Sequence, residues 1–206
     1  MNVLCLDLEG VLVPEIWQAV ARETGVEALM LTTRDIADYD ELMKHRIDTM
    51  RAEGIAYSGI REVIGTLDPL PGAVEFLDWA RRTFQVAILS DTFYQFGMPL
   101  MEKLGQPLLL CHRLLVEDDR IVGYRMRQAD PKTKAVMAFQ SLDLPVLAAG
   151  DSFNDVGMLT RADAGVFFRA PAAIVSQHGF DAVETYDELG TRLVALSETL
   201  GSDRAA

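Results

Sequence analysis

Residues 4–13, LCLDLEGVLV, determine the fold that the sequence predicts. The apolar run at its start is typical of a buried β-strand. Asp7 and Glu9 stand near the end of that strand, inside or just beyond a hydrophobic core, where a carboxylate costs free energy. Two acids at this position need an explanation, and the rest of the sequence indicates a chemical one.

Strand-like and helix-like stretches alternate along the chain. The strand-like runs are VLCLDL, QVAILS, PLLLCH, VLAAGD and AGVFF. The helical stretches between them include AVEFLDWARRTF, QFGMPLMEKLG, KAVMAFQSL and DELGTRLVALSETL. Apolar strands that alternate with helices predict a parallel sheet covered on both faces. The predicted fold class is therefore α/β, with a Rossmann-like, doubly wound sheet.

Two segments interrupt this alternation. Residues 15–68 follow the first strand and show only helical patterns, including IWQAVARETGVEALML and YDELMKHRIDTMRAEG. We predict that they form a small helical cap over the carboxyl edge of the sheet, and that residues 1–14 and 69–206 form the α/β core. The second interruption, LLVEDDRIVGYRMR, predicts a β-hairpin with a charged turn.

The composition disfavours several classes of function. Hydrophobic residues make up 50% of the 206 positions, which argues against disorder. A formal charge of −12 without a basic block disfavours nucleic acid and anionic membranes as partners. The sequence shows neither the roughly 20-residue apolar run of a membrane span nor a signal-peptide pattern, so we expect a cytoplasmic protein.

Polar residues stand where the predicted strands end. Asp7-Leu8-Glu9 ends the first strand, Ser90-Asp91-Thr92 ends the second, and Gly150-Asp151 ends a later one, followed by Ser152-Phe153-Asn154-Asp155. Ligands of doubly wound sheets bind outside the carboxyl ends of the strands, so we expect these side chains at one edge. A turn or a helix cap explains each of them equally well when it is taken alone. Their coincidence indicates a functional site.

A lysine completes this set. Asp130 and Pro131 predict the N-cap and the first position of a helix, so Lys132 lies in its first turn. The residues three, four and seven positions after Lys132 are apolar, which indicates that the lysine points inward. Carboxylates of Asp7 and Asp151 could hold one hard divalent cation, with Mg²⁺ the natural choice because it shares sites with phosphates.

The combined pattern resembles a known superfamily. Asp7-Leu8-Glu9-Gly10-Val11, Ser90, Lys132 and the run from Gly150 to Asp155 are similar to the four motifs of the haloacid dehalogenase superfamily. The insertion after the first motif resembles the cap of the phosphoserine phosphatase branch. LDLEGVLVPE and ILSDTF are most similar to the bifunctional family of phosphoserine phosphatases and homoserine phosphotransferases. The resemblance spans nearly the whole chain.

The resemblance implies an activity and a role for each matching residue. It implies a Mg²⁺-dependent phosphatase of L-phosphoserine that forms an aspartyl phosphate, with homoserine as a second acceptor beside water. Asp7 would be the nucleophile, Glu9 the acid and base, and Lys132 a phosphoryl-binding catalytic group supported by Asp155. The implied metal ligands are Asp7, Asp151 and the backbone carbonyl of Glu9. The implied substrate-binding residues are Glu15, Arg46, Ser90, Asp91, Lys132 and Asn154.

Three of these residues carry specific arguments. Most relatives have Asp where this chain has Glu9, so the backbone ligand is retained while the side-chain carboxyl extends by one methylene. Arg46 and Glu15 would bind the carboxylate and the ammonium of a phospho-amino acid, which would not fit a sugar phosphate. Taken alone, each has an ordinary explanation, since arginine stems cover apolar surface and glutamate often starts a helix.

Other interpretations stay open. A phosphatase of another small phosphometabolite would leave Glu15 and Arg46 without their proposed partners. A receiver-like regulatory domain also phosphorylates a strand-end Asp, but it lacks the insertion and carries its acid pair on a different strand. We interpret the three scattered histidines, at positions 45, 112 and 178, as structural or surface residues. A monomer and a homodimer are equally compatible with the sequence.

Overall fold

The computed structural model describes residues 1–32, 35–36 and 38–205. Within these residues, seven strands form one sheet in the order β4-β3-β2-β1-β5-β6-β7. The strands are β1 (Val3–Leu6), β2 (Gln85–Phe93), β3 (Leu108–Glu117), β4 (Arg120–Arg125), β5 (Val146–Gly150), β6 (Ala164–Phe168) and β7 (Asp181–Val183). The α-helices are α1 (Ile16–Thr24), α2 (Tyr39–Ala52), α3 (Tyr57–Thr66), α4 (Ala73–Thr83), α5 (Tyr94–Lys103), α6 (Pro131–Gln140), α7 (Val156–Arg161), α8 (Ala172–His178) and α9 (Tyr186–Ala205).

Strand β1 is the centre of the sheet. It pairs in parallel with β2 on one side and with β5 on the other, so that Val3 lies beside both Gln85 and Val146. The chain thus moves away from β1 in both directions, which makes the carboxyl end of β1 the topological switch point where ligands of such sheets bind. The α/β fold predicted from the sequence is confirmed.

The two faces of β1 explain its continuous apolar sequence. Leu4 and Leu6 belong to a large core cluster on one face of the sheet, and Val3 and Cys5 belong to a second cluster on the other. All four side chains are buried. Since a β-strand directs successive side chains to opposite faces, a strand covered on both faces needs apolar residues at every position.

In the described residues between β1 and α4, the regular elements are helices joined by turns and loops. It contains α1, a 3₁₀ turn at Glu27–Met30, α2 and α3. The Asp38 side chain accepts the backbone N–H of Glu41 at 2.9 Å, as its N-cap position predicts. Residues 33, 34 and 37 of the predicted cap lie outside the described residues.

The predicted β-hairpin is present as β3 and β4, which pair antiparallel. Asp118 and Asp119 at its turn have φ values of 46° and 59°, as the tightest hairpin turns require. The turn also bonds to another element: Asp119 accepts the Ser58 N–H at 2.8 Å and the Ser58 hydroxyl at 2.6 Å. The charge of the turn therefore anchors the first turn of α3 in addition to facing water.

The predicted start of α6 is confirmed, with Asp130 at the N-cap and Pro131 at the first helical position. The Asp130 side chain, however, makes no capping hydrogen bond. Asp130 has φ 48°, in the left-handed region, whereas a capping side chain normally extends from β-region backbone.

None of the helices in the described residues is both long enough and apolar enough to cross a bilayer.

Candidate active site

Asp7 lies directly beyond the end of β1, at the switch point. Its backbone N–H donates to the carbonyl of Ala149 at 3.0 Å, which continues the pairing with β5 by one residue. The chain then turns tightly, with the Gly10 N–H donating to the Val13 carbonyl at 2.9 Å. The Asp7 side chain is buried at the carboxyl edge of the sheet, where the sequence predicts a site.

A buried lysine joins three carboxylates at this edge. Lys132 Nζ lies 2.7 Å from Asp155 Oδ1, 2.9 Å from Asp7 Oδ1 and 3.5 Å from Asp91 Oδ2. Burial disfavours the charged lysine, but Asp155, Asp7 and Asp91 outweigh it and raise the pKa of Lys132 well above its ordinary value. The amine is therefore a fixed positive charge inside an otherwise acidic site.

Asp155 organises the surrounding chain. While its Oδ1 accepts from Lys132, its Oδ2 accepts the N–H of Asp151, the N–H of Ser152 and the Ser152 hydroxyl, at 3.0, 3.0 and 3.1 Å. The residue is fully buried. A Cβ on Gly150 would lie 2.4 Å from the Cβ of Asp155, so only glycine fits beneath it. Asp155 thus holds Lys132 and the segment that carries Asp151 in one arrangement.

Three carboxylates are close enough to share a metal ion. One oxygen from each of Asp7, Asp151 and Asp155 lies within 4.8 Å of the other two. Burial and then repulsion from Asp155 raise the pKa of Asp7, and the same two causes raise the pKa of Asp151 to about 7. A cluster of three carboxylates with only one neighbouring lysine among the described residues fits a hard divalent cation.

Gly10 allows Asp151 to occupy its position. Gly10 has φ 80°, in the left-handed region that favours glycine. A Cβ at this position would lie 2.4 Å from Asp151 Oδ2, well inside van der Waals contact. Gly10 therefore permits the turn after Asp7 and leaves room for the Asp151 side chain.

Glu9 connects the strand-end turn to the first helix of the insertion. Its Oε2 accepts the backbone N–H of Ile16, at the start of α1, at 2.8 Å. Burial and then the neighbouring Glu15 raise the pKa of Glu9 to about 7, although the Ile16 N–H and Arg46 oppose the shift. A carboxyl with a pKa near neutrality can both donate and accept a proton.

All predicted site residues except Asp155 line one cavity of about 170 Å³ at the end of β1. Asp155 lies buried behind it. The lining residues are Asp7, Glu9, Glu15, Trp17, Gln18, Thr32, Tyr39, Leu42, Arg46, Ser90, Asp91, Thr92, Lys132, Asp151, Ser152 and Asn154. The cavity is acidic at the sheet edge and has Arg46 in the wall formed by the helical segment.

Arg46 is buried but incompletely bonded. Its guanidinium stacks over Trp17 at 4.6 Å and donates to the carbonyl of Leu31 at 2.9 Å. Its Nε is buried without a hydrogen-bond partner among the described residues. Burial lowers the pKa of Arg46 to about 10, which leaves it cationic at neutral pH. The cavity therefore contains a positive group with donor capacity to spare.

Sequence reasoning did not predict three neighbours of the site. The Trp17 ring supports the Arg46 guanidinium. Tyr39 donates its hydroxyl to the backbone carbonyl of Asp91 at 2.9 Å, and its position seven residues before Arg46 on the same helical face is the signal that could have indicated this. His112 lies 3.7 Å from Asp91, and no sequence pattern indicates it.

The chain belongs to the haloacid dehalogenase-like hydrolases, whose family pattern matches residues 6–160. It is 57% identical to the phosphoserine phosphatase ThrH of Pseudomonas aeruginosa, over 92% of this chain and 93% of that relative. It is 54% identical to a phosphoserine phosphatase of Pseudomonas syringae pv. tomato, over 96% of this chain and 84% of that relative. A solved phospho-aspartyl intermediate analogue of phosphoserine phosphatase has the same fold, with a TM-score of 0.68 and 21% identity over 89% of this chain and 93% of its own. The family inferred from the four motifs is confirmed.

Gly10→Ala should disturb the site more than a matched glycine substitution does. Gly25 is the control because it also has a left-handed backbone, with φ 69°, but a Cβ there meets nothing within 4 Å. Both variants should lose about 1–2 kcal/mol of unfolding free energy from backbone strain. Only Gly10→Ala should also abolish the rise in Tm caused by divalent cations, because Asp151 must rotate away. Equal cation responses in the two variants would contradict the role given to Gly10.

Proposed function

We propose that the chain is a Mg²⁺-dependent phosphoserine phosphatase that acts through an aspartyl-phosphate intermediate. The observation that carries the proposal is the composition of one cavity: Asp7 and Lys132 lie at the sheet edge, and Arg46 and Glu15 lie in the wall of the helical segment. These groups match a phosphate ester, a carboxylate and an ammonium. The names of the two Pseudomonas relatives support the same substrate.

In the first step, an Asp7 oxygen attacks phosphorus in line and the bond from phosphorus to the seryl oxygen breaks. Lys132, whose pKa is raised, neutralises charge on the phosphoryl oxygens. The buried Ser90 hydroxyl already accepts the Thr92 N–H at 3.2 Å, and its proton can be donated to a phosphoryl oxygen. The product of this step is phospho-Asp7 and serine.

Glu9 moves the protons in both steps. It protonates the departing seryl oxygen and then removes a proton from the water that attacks the phospho-aspartate. Water adds to phosphorus, inorganic phosphate leaves, and Asp7 is restored as a carboxylate. The hydrogen bond from the Ile16 N–H to Glu9 Oε2 fixes the orientation of the Glu9 carboxyl, whose side chain is one methylene longer than that of Asp.

The residues that would hold Mg²⁺ are Asp7, Asp151 and the backbone carbonyl of Glu9. When bound, the cation would offset the negative charge of the carboxylates and of the phosphoryl group. Asp155 contributes to the acidic cluster, but its oxygens already accept four hydrogen bonds. We therefore assign Asp155 to the support of Lys132.

Arg46 and Glu15 are proposed to select a phospho-amino acid. The unpartnered Nε of Arg46 gives its guanidinium capacity for a carboxylate, and Glu15 offers an acceptor for an ammonium. Asp91 and Asn154 complete the substrate-binding set. The volume of about 170 Å³ is small beside the roughly 300–1,000 Å³ of sites for drug-sized ligands, which favours a small substrate.

Residues 15–68 are proposed to act as a cap on the core formed by residues 1–14 and 69–206. Glu15 and Arg46 come from this segment, whereas Asp7, Lys132 and Asp151 come from the core. A substrate that contacts both would stabilise the arrangement in which they face one cavity.

Transfer of the phosphoryl group to homoserine is the second proposed activity. Homoserine carries the same carboxylate and ammonium as serine, so Arg46 and Glu15 would orient its hydroxyl toward phospho-Asp7. Glu9 would then deprotonate that hydroxyl as it does water. The similarity of LDLEGVLVPE and ILSDTF to the bifunctional family supports this proposal.

The purified protein should release phosphate from L-phosphoserine with Mg²⁺, and Asp7→Asn should lower kcat by at least about a thousandfold because the nucleophile is lost. Phosphate release, measured with and without added homoserine, tests both activities. Phosphohomoserine should form when homoserine is present. Wild-type protein that leaves phosphoserine intact would refute the substrate, and only inorganic phosphate in excess homoserine would refute the transfer.

Mg²⁺ binding should depend on Asp151. Isothermal titration of Mg²⁺ into the protein without phosphoserine should show one site, and Asp151→Asn should weaken it by about tenfold or more because a charged oxygen ligand is lost. Asp187→Asn is the control, since Asp187 is exposed in the first turn of α9, away from the cavity. The assignment fails if both variants bind Mg²⁺ like the wild type.

Arg46→Ala should raise the KM for phosphoserine by about tenfold to a hundredfold, as expected for the loss of a charge-assisted hydrogen bond worth about 1.5–3 kcal/mol. Arg51→Ala is the matched control on the same helix, because the Arg51 side chain is 63% exposed and pairs only with Asp48 of α2 at 3.1 Å among the described residues. Its KM should stay within about twofold of the wild type. Unchanged KM in Arg46→Ala would contradict carboxylate binding by this residue.

A further inference from the structure

His112 is a buried residue beside the cavity that the proposed mechanism does not use. It lies on β3 and is 1% exposed. It pairs with Phe93 of β2 after a register shift that begins at Leu89. The shifted segment contains Asp91, whose Oδ1 lies 3.7 Å from His112 Nε2. The irregular pairing thus brings an imidazole and a cavity carboxylate face to face.

The hydrogen bonds of the ring assign its proton. The backbone N–H of Arg127 donates to His112 Nδ1 at 3.1 Å, so the neutral ring carries its proton on Nε2. Nε2 is buried and has no hydrogen-bond partner in the part of the chain that the structure describes. The distance of 3.7 Å to Asp91 is too long for a hydrogen bond. A buried donor therefore points at a carboxylate that it does not reach.

Asp91 stands between this donor and the lysine. Its Oδ2 is 3.5 Å from Lys132 Nζ, a longer distance than Asp7 and Asp155 keep from the same amine. The Tyr39 hydroxyl holds the backbone carbonyl of Asp91. The Asp91 side chain is 28% exposed and lines the cavity, so it is the part of the residue that can rotate.

A phosphoryl group that binds to the Lys132 amine would be repelled by the Asp91 carboxylate in its present position. The incoming anion and the carboxylate would approach the same amine, and like charges repel strongly in a site shielded from water. A movement of under about 1 Å toward His112 would complete an Nε2–H···Oδ1 hydrogen bond of ordinary length. The same movement would take the carboxylate away from Lys132.

We propose that His112 is a positioning residue that receives the Asp91 carboxylate on its Nε2–H when a phosphoryl group binds to Lys132. Asp91 then acts as a group with two positions, near Lys132 in the empty cavity and on His112 in the occupied one. The role of His112 rests on one part of the proposed function, namely that a phosphoryl group binds at Lys132. It applies to inorganic phosphate as well as to a phosphate ester.

Two substitutions of His112 separate its donor from its acceptor. His112→Gln keeps an N–H near the position of Nε2, whereas His112→Asn keeps an acceptor near the position of Nδ1 and is too short to place a donor at the position of Nε2. Titration calorimetry with inorganic phosphate in the presence of Mg²⁺ should show about tenfold weaker binding for His112→Asn and a change within about threefold for His112→Gln. His45→Asn is the control, because His45 contacts the Ala28 carbonyl outside the cavity and should bind phosphate like the wild type.

Asp91→Asn supplies the decisive background. In Asp91→Asn, no carboxylate charge has to move from Lys132 to His112. Adding His112→Asn to Asp91→Asn should therefore change phosphate affinity by less than about twofold. The proposal is overturned if His112→Asn weakens phosphate binding as much in the Asp91→Asn background as in the wild type. It is also overturned if His112→Asn and His112→Gln weaken phosphate binding equally, since His112 would then be a packing residue.

A spectroscopic signature covers the case in which the variants do not fold. In wild-type protein, phosphate should shift the Nε2–H proton resonance of His112 downfield, because its hydrogen bond to Asp91 shortens; an unmoved resonance overturns the proposal. Phosphate binding is measured without turnover, so the pattern can hold even if phosphoserine is not a substrate. A wild-type protein that does not bind inorganic phosphate would overturn the proposal.

Discussion

The buried contact of Lys132 with Asp7 and Asp155 is the interaction on which the site depends. Lys132 comes from α6, Asp7 follows β1, and Asp155 follows β5, so one amine joins three separate elements at the carboxyl edge of the sheet. Removing Lys132 would leave the Asp7 and Asp155 carboxylates buried without their cation, and breaking a buried ion pair in this way typically costs about 3–5 kcal/mol. Lys132 is the cation at the sheet edge of a cavity whose lining, among the described residues, contains five carboxylates, which makes its positive charge more consequential.

Most of the fold could be predicted because its signals are local. A strand buried on both faces needs a continuous apolar run, and Leu4, Cys5 and Leu6 show one directly. The juxtaposition of Asp7 and Asp151 could be predicted because parallel strands end at a common edge, and that of Lys132 because it lies in the first turn of a helix with an apolar inward face. The short β7 and α8 escaped prediction because their residues are mostly exposed and carry little periodic pattern.

The parts of the site that sequence could not predict arise from irregular geometry. His112 lies beside Asp91 because of a register shift between β2 and β3, and no spacing in the sequence encodes that shift. Asp130 occupies the N-cap position of α6 as its residue type predicts, but its backbone is left-handed and its side chain makes no capping hydrogen bond. Glu9 was expected to differ from relatives only by a longer side chain, yet the structure adds a bond to Ile16 that ties it to α1.

The link between Asp119 and Ser58 has a mechanical consequence. Since the hairpin turn holds the beginning of α3, and Tyr124 of β4 donates its hydroxyl to Asp40 of α2, the helical segment is attached to β3–β4 at two points beyond its covalent ends. Helices α2 and α3 can therefore separate from the sheet only by breaking these hydrogen bonds or by moving together with the hairpin.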